Sequence, residues 1–219
     1  MFLSDRDIKY AVQCSTLVIS PEPTEFDANS VDLHLDKIAF AKVWDIDKFR
    51  STQSPGGSTP DGNAAYLQLG TFKYNDFADQ YLAPIPVASS AEERRSLLVH
   101  TNGIEVFVRP NGFVLWTTEE VVGTPERNPE LLSFVNAKST KARTGIMVHF
   151  TAPTINSGWQ GKITLEIVNL GPFTFVLRPG DAIAQLTVAR LTSSPDANLF
   201  GKKKSSTHGQ TDPGGKRSL

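Results

Sequence analysis

An all-β fold with minor helix, built as a sandwich or barrel, is predicted for this chain from three observations. Short runs rich in Val, Ile, Phe and Thr recur through its middle and C-terminal parts. Turn signals separate them at short intervals, as in "RPNG" (Arg109 to Gly112) and "INSG" (Ile155 to Gly158). A clear helix start is read only at the beginning, where Ser4 precedes the acidic Asp5 and Asp7.

In chain order, "RDIKYAVQ" reads as a short amphipathic helix, and "SVDLHLDKIAFAKV" (Ser30 to Val43) alternates as one strand. Residues 50–65, "RSTQSPGGSTPDGNAA", are rich in Gly, Pro and Ser without apolar periodicity, and read as a mobile loop or insertion. "GIEVFVRPNGFVLWTTEEVV" reads as two strands around the "RPNG" turn, and "TPERNPELLSFV" as a loop with one helical turn. Four further strand-like runs follow: "ARTGIMVHFTA", "GKITLEIVNL", "FTFVLRPG" and "DAIAQLTVARL". Before the second of these runs, Asn156, Ser157 and Gly158 turn the chain into a strand where Ile163, Leu165 and Ile167 alternate with Lys162, Thr164 and Glu166. Residues 1–200 form one domain on this reading. Residues 201–219, "GKKKSSTHGQTDPGGKRSL", read as a polar, basic tail that is flexible or orders on binding an anion.

Composition narrows the function. The 219 residues are 39% hydrophobic, enough for an ordinary core. A formal net charge of -1 gives no general attraction to nucleic acid or to acidic membranes, so any anion site must be local. "MFLSDRDIKY" lacks the apolar run of a signal peptide, and no stretch approaches the roughly 18 apolar residues of a membrane span, so a cytoplasmic location is expected. Cys14 is the single cysteine, which excludes an intrachain disulfide and a cysteine-based zinc site. His34, His100, His149 and His208 show no ligand spacing, and no protein-held metal is expected.

Three segments, "SVDLHL", "NAKSTKARTGIMVHFTAPTINSGWQGKITLE" and "RPGDAIAQL", resemble in order and content the dCTP deaminase and trimeric dUTPase superfamily. The middle segment is similar to the deaminase branch, with its Ser-rich turn, its Arg, the "GIMVH" run and a Gly-Trp-x-Gly strand ending in Glu. "FLSDRDI" and "HGQTDP" are similar to deaminase termini. The resemblance implies a distorted β-barrel or jelly-roll subunit of the dUTPase-like type, assembled as a homotrimer with active sites between subunits. It implies dCTP or a related pyrimidine deoxynucleotide as substrate, with Mg²⁺ carried by the triphosphate and no protein-bound zinc. Residue by residue, it assigns the general base to Glu166, and the positioning of water and stabilisation of the reacting centre to Ser139 and Arg143. It assigns nucleotide contacts to Lys138, Thr140, Ala152, Thr154, Asn156, Gln185, Gln210 and Lys204, the last two in a tail that related enzymes close over the nucleotide.

The residue types suit that chemistry. Hydrolytic deamination needs a water made nucleophilic, attack on C4 of cytosine, and protons for the ring and the leaving ammonia. A carboxylate can take the proton from water and return it. Zinc deaminases instead use an H-x-E…P-C-x-x-C arrangement, which one cysteine cannot supply. The lysine run Lys202 to Lys204 reads equally as a solvated tail or as a lid over phosphates. Trp159 reads as a packing residue, His149 as a structural histidine in an apolar strand, and Asp32 as a structural hydrogen-bonding residue.

The sequence departs from the family pattern in three ways. Asn156 stands where dUTPases and bifunctional relatives carry an Asp, and Asn cannot act as a base. Pro153 and Thr154 replace a His-Arg pair, and Ser206 and Thr207 replace a Lys-Tyr pair in the tail. The expected activity is deamination of dCTP to dUTP. The alternatives are a dUTPase or bifunctional enzyme, and a catalytically silent nucleotide-binding regulator on the same trimer.

Overall fold

Every ladder between the described strands is antiparallel, and three sheets share one hydrophobic core. The computed structural model describes residues 1–53, 65–127, 129–150, 152–195 and 208–216. Helix α1 (Asp5–Gln13) begins as its sequence dictates: Ser4 Oγ accepts from the Asp7 amide at 3.4 Å, and the Asp7 carboxylate accepts in return from the Ser4 amide. Its Ile8 and Ala11 face the core.

Strands β1 (Val18–Ser20) and β2 (Val31–His34) follow, then a single turn of tight helix at Ile38–Phe40 and β3 (Ala41–Trp44). The single strand expected over Ser30 to Val43 is therefore two strands in different sheets. The break falls at Asp36, whose carbonyl accepts from the Trp116 indole at 2.9 Å and whose carboxylate accepts from the Lys37 amide at 2.8 Å. Local side-chain bonding of this kind competes with a continuing ladder. The next elements are α2 (Ile46–Gln53), α3 (Tyr74–Tyr81), β4 (Leu82–Pro84), α4 (Ala91–Ser96), β5 (Val99–Thr101) and β6 (Val106–Val108). The expected loop at 50–65 thus begins inside α2, and residues 54–64 lie outside the described residues.

The "RPNG" turn then leads into β7 (Phe113–Gly123), with the Gly112 amide donating to the Arg109 carbonyl at 2.8 Å. Strand β8 (Leu131–Ala137) replaces the helical turn expected in "TPERNPELLSFV", because alternate residues Leu131, Ser133 and Val135 are buried along a ladder with the last long strand. After α5 (Ser139–Ala142) come β9 (Ile146–Met147), β10 (Thr154–Ile155), β11 (Gln160–Asn169), β12 (Phe175–Leu177) and β13 (Ala182–Arg190).

One sheet runs β4-β3-β7-β11-β9 with β1 on the outer half of β7, a second runs β10-β8-β13-β2, and a third runs β12-β6-β5. Leu33, Val108, Trp116, Leu165 and Leu186 bring all three into the same core. These sheets are open. The expected barrel does not close, because the short strands and the register shifts at Lys162/Thr164 and Ala182/Ala184 end each ladder before it returns to its first strand. The described residues are mostly β with minor helices. None of the described helices is long and apolar enough to cross a membrane.

Candidate active site

Strand β11 supplies both a core and a site through simple alternation. Ile163, Leu165 and Ile167 point into the core, while Lys162, Thr164 and Glu166 lie half-buried on the opposite face. Glu166 stands directly across from Leu115 of β7, which in turn pairs with Lys42 of β3. The carboxylate is thus held on a long strand paired with β7 at this position, with β9 joining its other side two residues further on, at Val168 and Asn169.

The turn before β11 is equally determined. The Trp159 amide donates to the Asn156 carbonyl at 3.1 Å, and the Gly158 amide donates to Thr124 Oγ1 at 2.6 Å. Gly158 has φ +81°, a conformation that a side chain would strain.

A cavity of about 830 Å³ opens over this face of the sheet. Its polar lining comes from His149, Thr154, Asn156, Thr164, Glu166 and Gln210, and Ala152 adds backbone. Its apolar lining includes Trp44, Leu69, Phe72, Phe113, Leu115 and Phe150. Among the described residues, no lysine or arginine lines it.

Within the cavity, His149 and Glu166 form a close pair. Nδ1 of His149 lies 2.6 Å from Oε2 of Glu166, and Nε2 lies 2.9 Å from the Ala152 carbonyl. A carbonyl only accepts, so Nε2 carries a proton, and the second proton is shared between Nδ1 and the carboxylate. Burial alone would lower the His149 pKa, but the Glu166 hydrogen bond, the Glu166 charge and the Ala152 carbonyl together raise it above its ordinary 6.5. The imidazole is only 8% exposed, against 33% for the Glu166 side chain, so the carboxylate is the member a solute can reach. Nearby, burial first, then the charges of Glu166 and Asp212, push the Tyr74 hydroxyl up to about 12.

The family model described as dCTP deaminase-like matches residues 85–191, which contain this pair. A dCTP deaminase named as dUMP-forming, from Dictyoglomus thermophilum, is 30% identical over 217 residues, covering 97% of this chain and 92% of that protein. The dCTP deaminase of Thermomicrobium roseum is 30% identical over 216 residues, covering 97% and 91%. This chain belongs to the dCTP deaminase family. The solved 2'-deoxycytidine 5'-triphosphate deaminase of Agrobacterium tumefaciens shares its fold, with a TM-score of 0.54 at 15% identity over 85% of this chain and 47% of that one.

Against this family's pattern, the residues expected from sequence fall into four groups. Glu166, Ala152, Thr154, Asn156 and Gln210 line the one cavity. Ser139, Thr140 and Arg143 lie on α5 and its C-cap, exposed and outside the cavity lining. Lys138 and Gln185 meet elsewhere, at Asp32: Lys138 Nζ pairs with its carboxylate, and Gln185 Nε2 donates to Asp27 at 2.9 Å and to Asp32 at 3.4 Å. Asp32 thus anchors the residue from which α5 starts. Lys202, Lys203, Lys204, Ser206 and Thr207 lie outside the described residues.

Three cavity residues were not expected. His149 read as purely structural, yet it bonds the candidate base directly. Its position three residues before Ala152, inside the matched segment, was the available signal. Trp44 and Tyr74 come from a region with no motif, and only the fold brings them to the site. Among the described residues, no three His, Cys, Asp or Glu side chains converge as a metal site.

Proposed function

We propose that this protein hydrolyses the 4-amino group of dCTP, releasing ammonia and leaving dUTP. The observation that carries the reading is the Glu166 carboxylate, presented into the cavity from strand β11 and bonded at 2.6 Å to His149. Glu166 takes a proton from water, and the resulting hydroxide attacks C4 of the cytosine ring. The carboxylate passes that proton to the ring nitrogen N3 and then carries the proton of the new C4 hydroxyl to the departing amine, so that C4=O forms as ammonia leaves and one water is consumed for each ammonia released. His149 shares a proton with the carboxylate and fixes its orientation. The backbone at Ala152 reads the base edge, and Asn156 binds the sugar hydroxyl.

The triphosphate brings its own Mg²⁺, and the reaction needs no zinc held by the protein. Its charge needs donors that the cavity lining lacks. Lys138, Thr140 and Arg143 meet that need, with Ser139 turned toward the water, when α5 of a neighbouring subunit closes the site. Gln185 supports this group through Asp32, and Lys204 and Gln210 contribute from the tail. A homotrimer of dUTPase-like subunits in the cytoplasm satisfies these requirements. The exposure of α5, together with the lack of cations in the described lining of the cavity, favours this arrangement.

A dUMP-forming activity is the second reading, favoured by the name of the Dictyoglomus thermophilum relative. Asn156 in the cavity lining weighs against it, because an amide cannot serve as the base for attack on a phosphate. Incubation of the purified protein with dCTP and Mg²⁺, with ion-exchange separation of the products, tests both readings. Equimolar dUTP and ammonia is the expected result. Accumulation of dUMP would establish the second reading, and unchanged dCTP would overturn both.

A further inference from the structure

Residues 208–216 lie between β11 and α3, held from both sides. Along β11, the Gly209 amide donates to the Gln160 carbonyl at 2.6 Å, and the Lys162 amide donates to the Gln210 carbonyl at 3.0 Å. The Gln210 side chain donates back to the Lys162 carbonyl at 2.7 Å and to Thr164 Oγ1 at 3.2 Å. Gly161 leaves the space for this approach: a Cβ there would come within 3.2 Å of the Gln210 amide and 2.9 Å of the Trp159 ring. On the other side, the Tyr74 hydroxyl donates to the Pro213 carbonyl at 2.5 Å. Lys216 Nζ lies 3.5 Å from Asp79, and Gly214 packs near Ala78.

We propose that Tyr74 is a positioning residue for the nucleotide site: by holding the Pro213 carbonyl it fixes residues 208–216 against β11, and so sets Gln210 two residues along the strand face from Glu166. The Lys216–Asp79 pair is exposed and contributes little. The Tyr74 bond is partly buried, and its donor rides on a ring fixed edge-on against Trp44 at 6.4 Å and 89°. Few rotamers are lost in making it. With its titration held far above neutrality by burial and by Glu166 and Asp212, the hydroxyl remains a donor throughout the working range. The clasp is also intrachain, so Gln210 serves the Glu166 of its own subunit. Helix α3 belongs to the segment joining β3 to β4, and the clasp gives that segment a task in the site.

The kinetic part of this inference rests on the deaminase reading, whereas the clasp itself does not. Tyr74→Phe keeps the ring and removes the bond. Amide hydrogen exchange across 208–216 in the full chain should quicken by up to about tenfold, the range a net hydrogen bond spans. KM for dCTP should rise by a similar factor, with kcat unchanged within about twofold. In a Gln210→Ala background the same substitution should leave KM where it was, since the group it positions is gone. Gly215→Ala loads the clasp from the opposite side, because φ is +79° there and the new Cβ meets Asn75 Oδ1 at 3.0 Å; exchange over 208–216 should quicken again. Unchanged exchange and KM in Tyr74→Phe would overturn the proposal. So would a fall in kcat at constant KM, or full additivity with Gln210→Ala. Should the unsubstituted protein leave dCTP untouched, the function reading fails while the exchange result still decides the clasp.

Discussion

The cavity face of β11 and the turn at α5 are both assigned to the same reaction, and they are built in opposite ways. Glu166 stands on a ten-residue strand paired on both sides, backed by Leu165 and Ile167 at 0% exposure. Ser139, Thr140 and Arg143 stand on a four-residue helix and its cap, exposed, with the start of that helix tied down through Lys138 and Asp32. The proposed base is preorganised inside one chain, where a small displacement would be costly. The cationic group is presented outward, where its position is completed only by whatever faces it. The difference teaches that a site can separate the part that needs precision from the part that needs access.

The sharpest way to break this contrast is at Glu166. Glu166→Gln keeps the shape and the hydrogen bond to His149 while removing the base, and ammonia release from dCTP should fall by about 10³-fold or more. Near-normal release would move the chemistry out of this cavity. Leu165→Ala attacks the support rather than the chemistry, and should cost about 3 kcal/mol in denaturant unfolding. Arg143→Ala should leave unfolding unchanged, since the side chain is exposed, and raise KM for dCTP by about 10- to 100-fold through a lost charged hydrogen bond.

Mixing the two defective chains tests whether the halves of the site come from different subunits. If they do, refolding Glu166→Gln with Arg143→Ala chains at equal ratio should restore about a quarter of the normal rate, because that share of sites inherits both intact residues. No recovery would assign both residues to one chain.

The smallest effect expected is on pH dependence. The His149 pKa is raised in the fold, so the stability the pair contributes is fully present below the ordinary value of 6.5 and is lost as pH rises through the raised one. His149→Gln should flatten the dependence of Tm on pH above 6.5 and leave the acid side to other groups.

Much of this arrangement is legible in the sequence, for local reasons. Ser4 and Asp7 specify a helix start because the two partners of a capping box lie within one turn. The β7 strand announces itself as a β-rich run after the "RPNG" turn and β11 through alternation, and Glu166 falls on the wet phase of the β11 pattern. What stays hidden depends on distant partners. His149 meets Glu166 across 17 positions, and nothing in "MVHF" distinguishes a histidine bonded to a carboxylate from one in a core. The run Ser30 to Val43 alternates throughout, yet Asp36 bends it because Trp116, 80 residues away, bonds its carbonyl. Tyr74 and Trp44 sit in a region without family motifs, and their roles exist only once α3 lies beside the C-terminal segment.

That segment has a consequence for the way the site comes into being. Every strand of the three sheets is synthesised by Arg190, whereas Gln210 follows about 20 residues later, a delay of about one to four seconds at ordinary elongation rates. The wall that Gln210 builds is therefore the last described part of the chamber to be translated, and it closes on strands that have already been made.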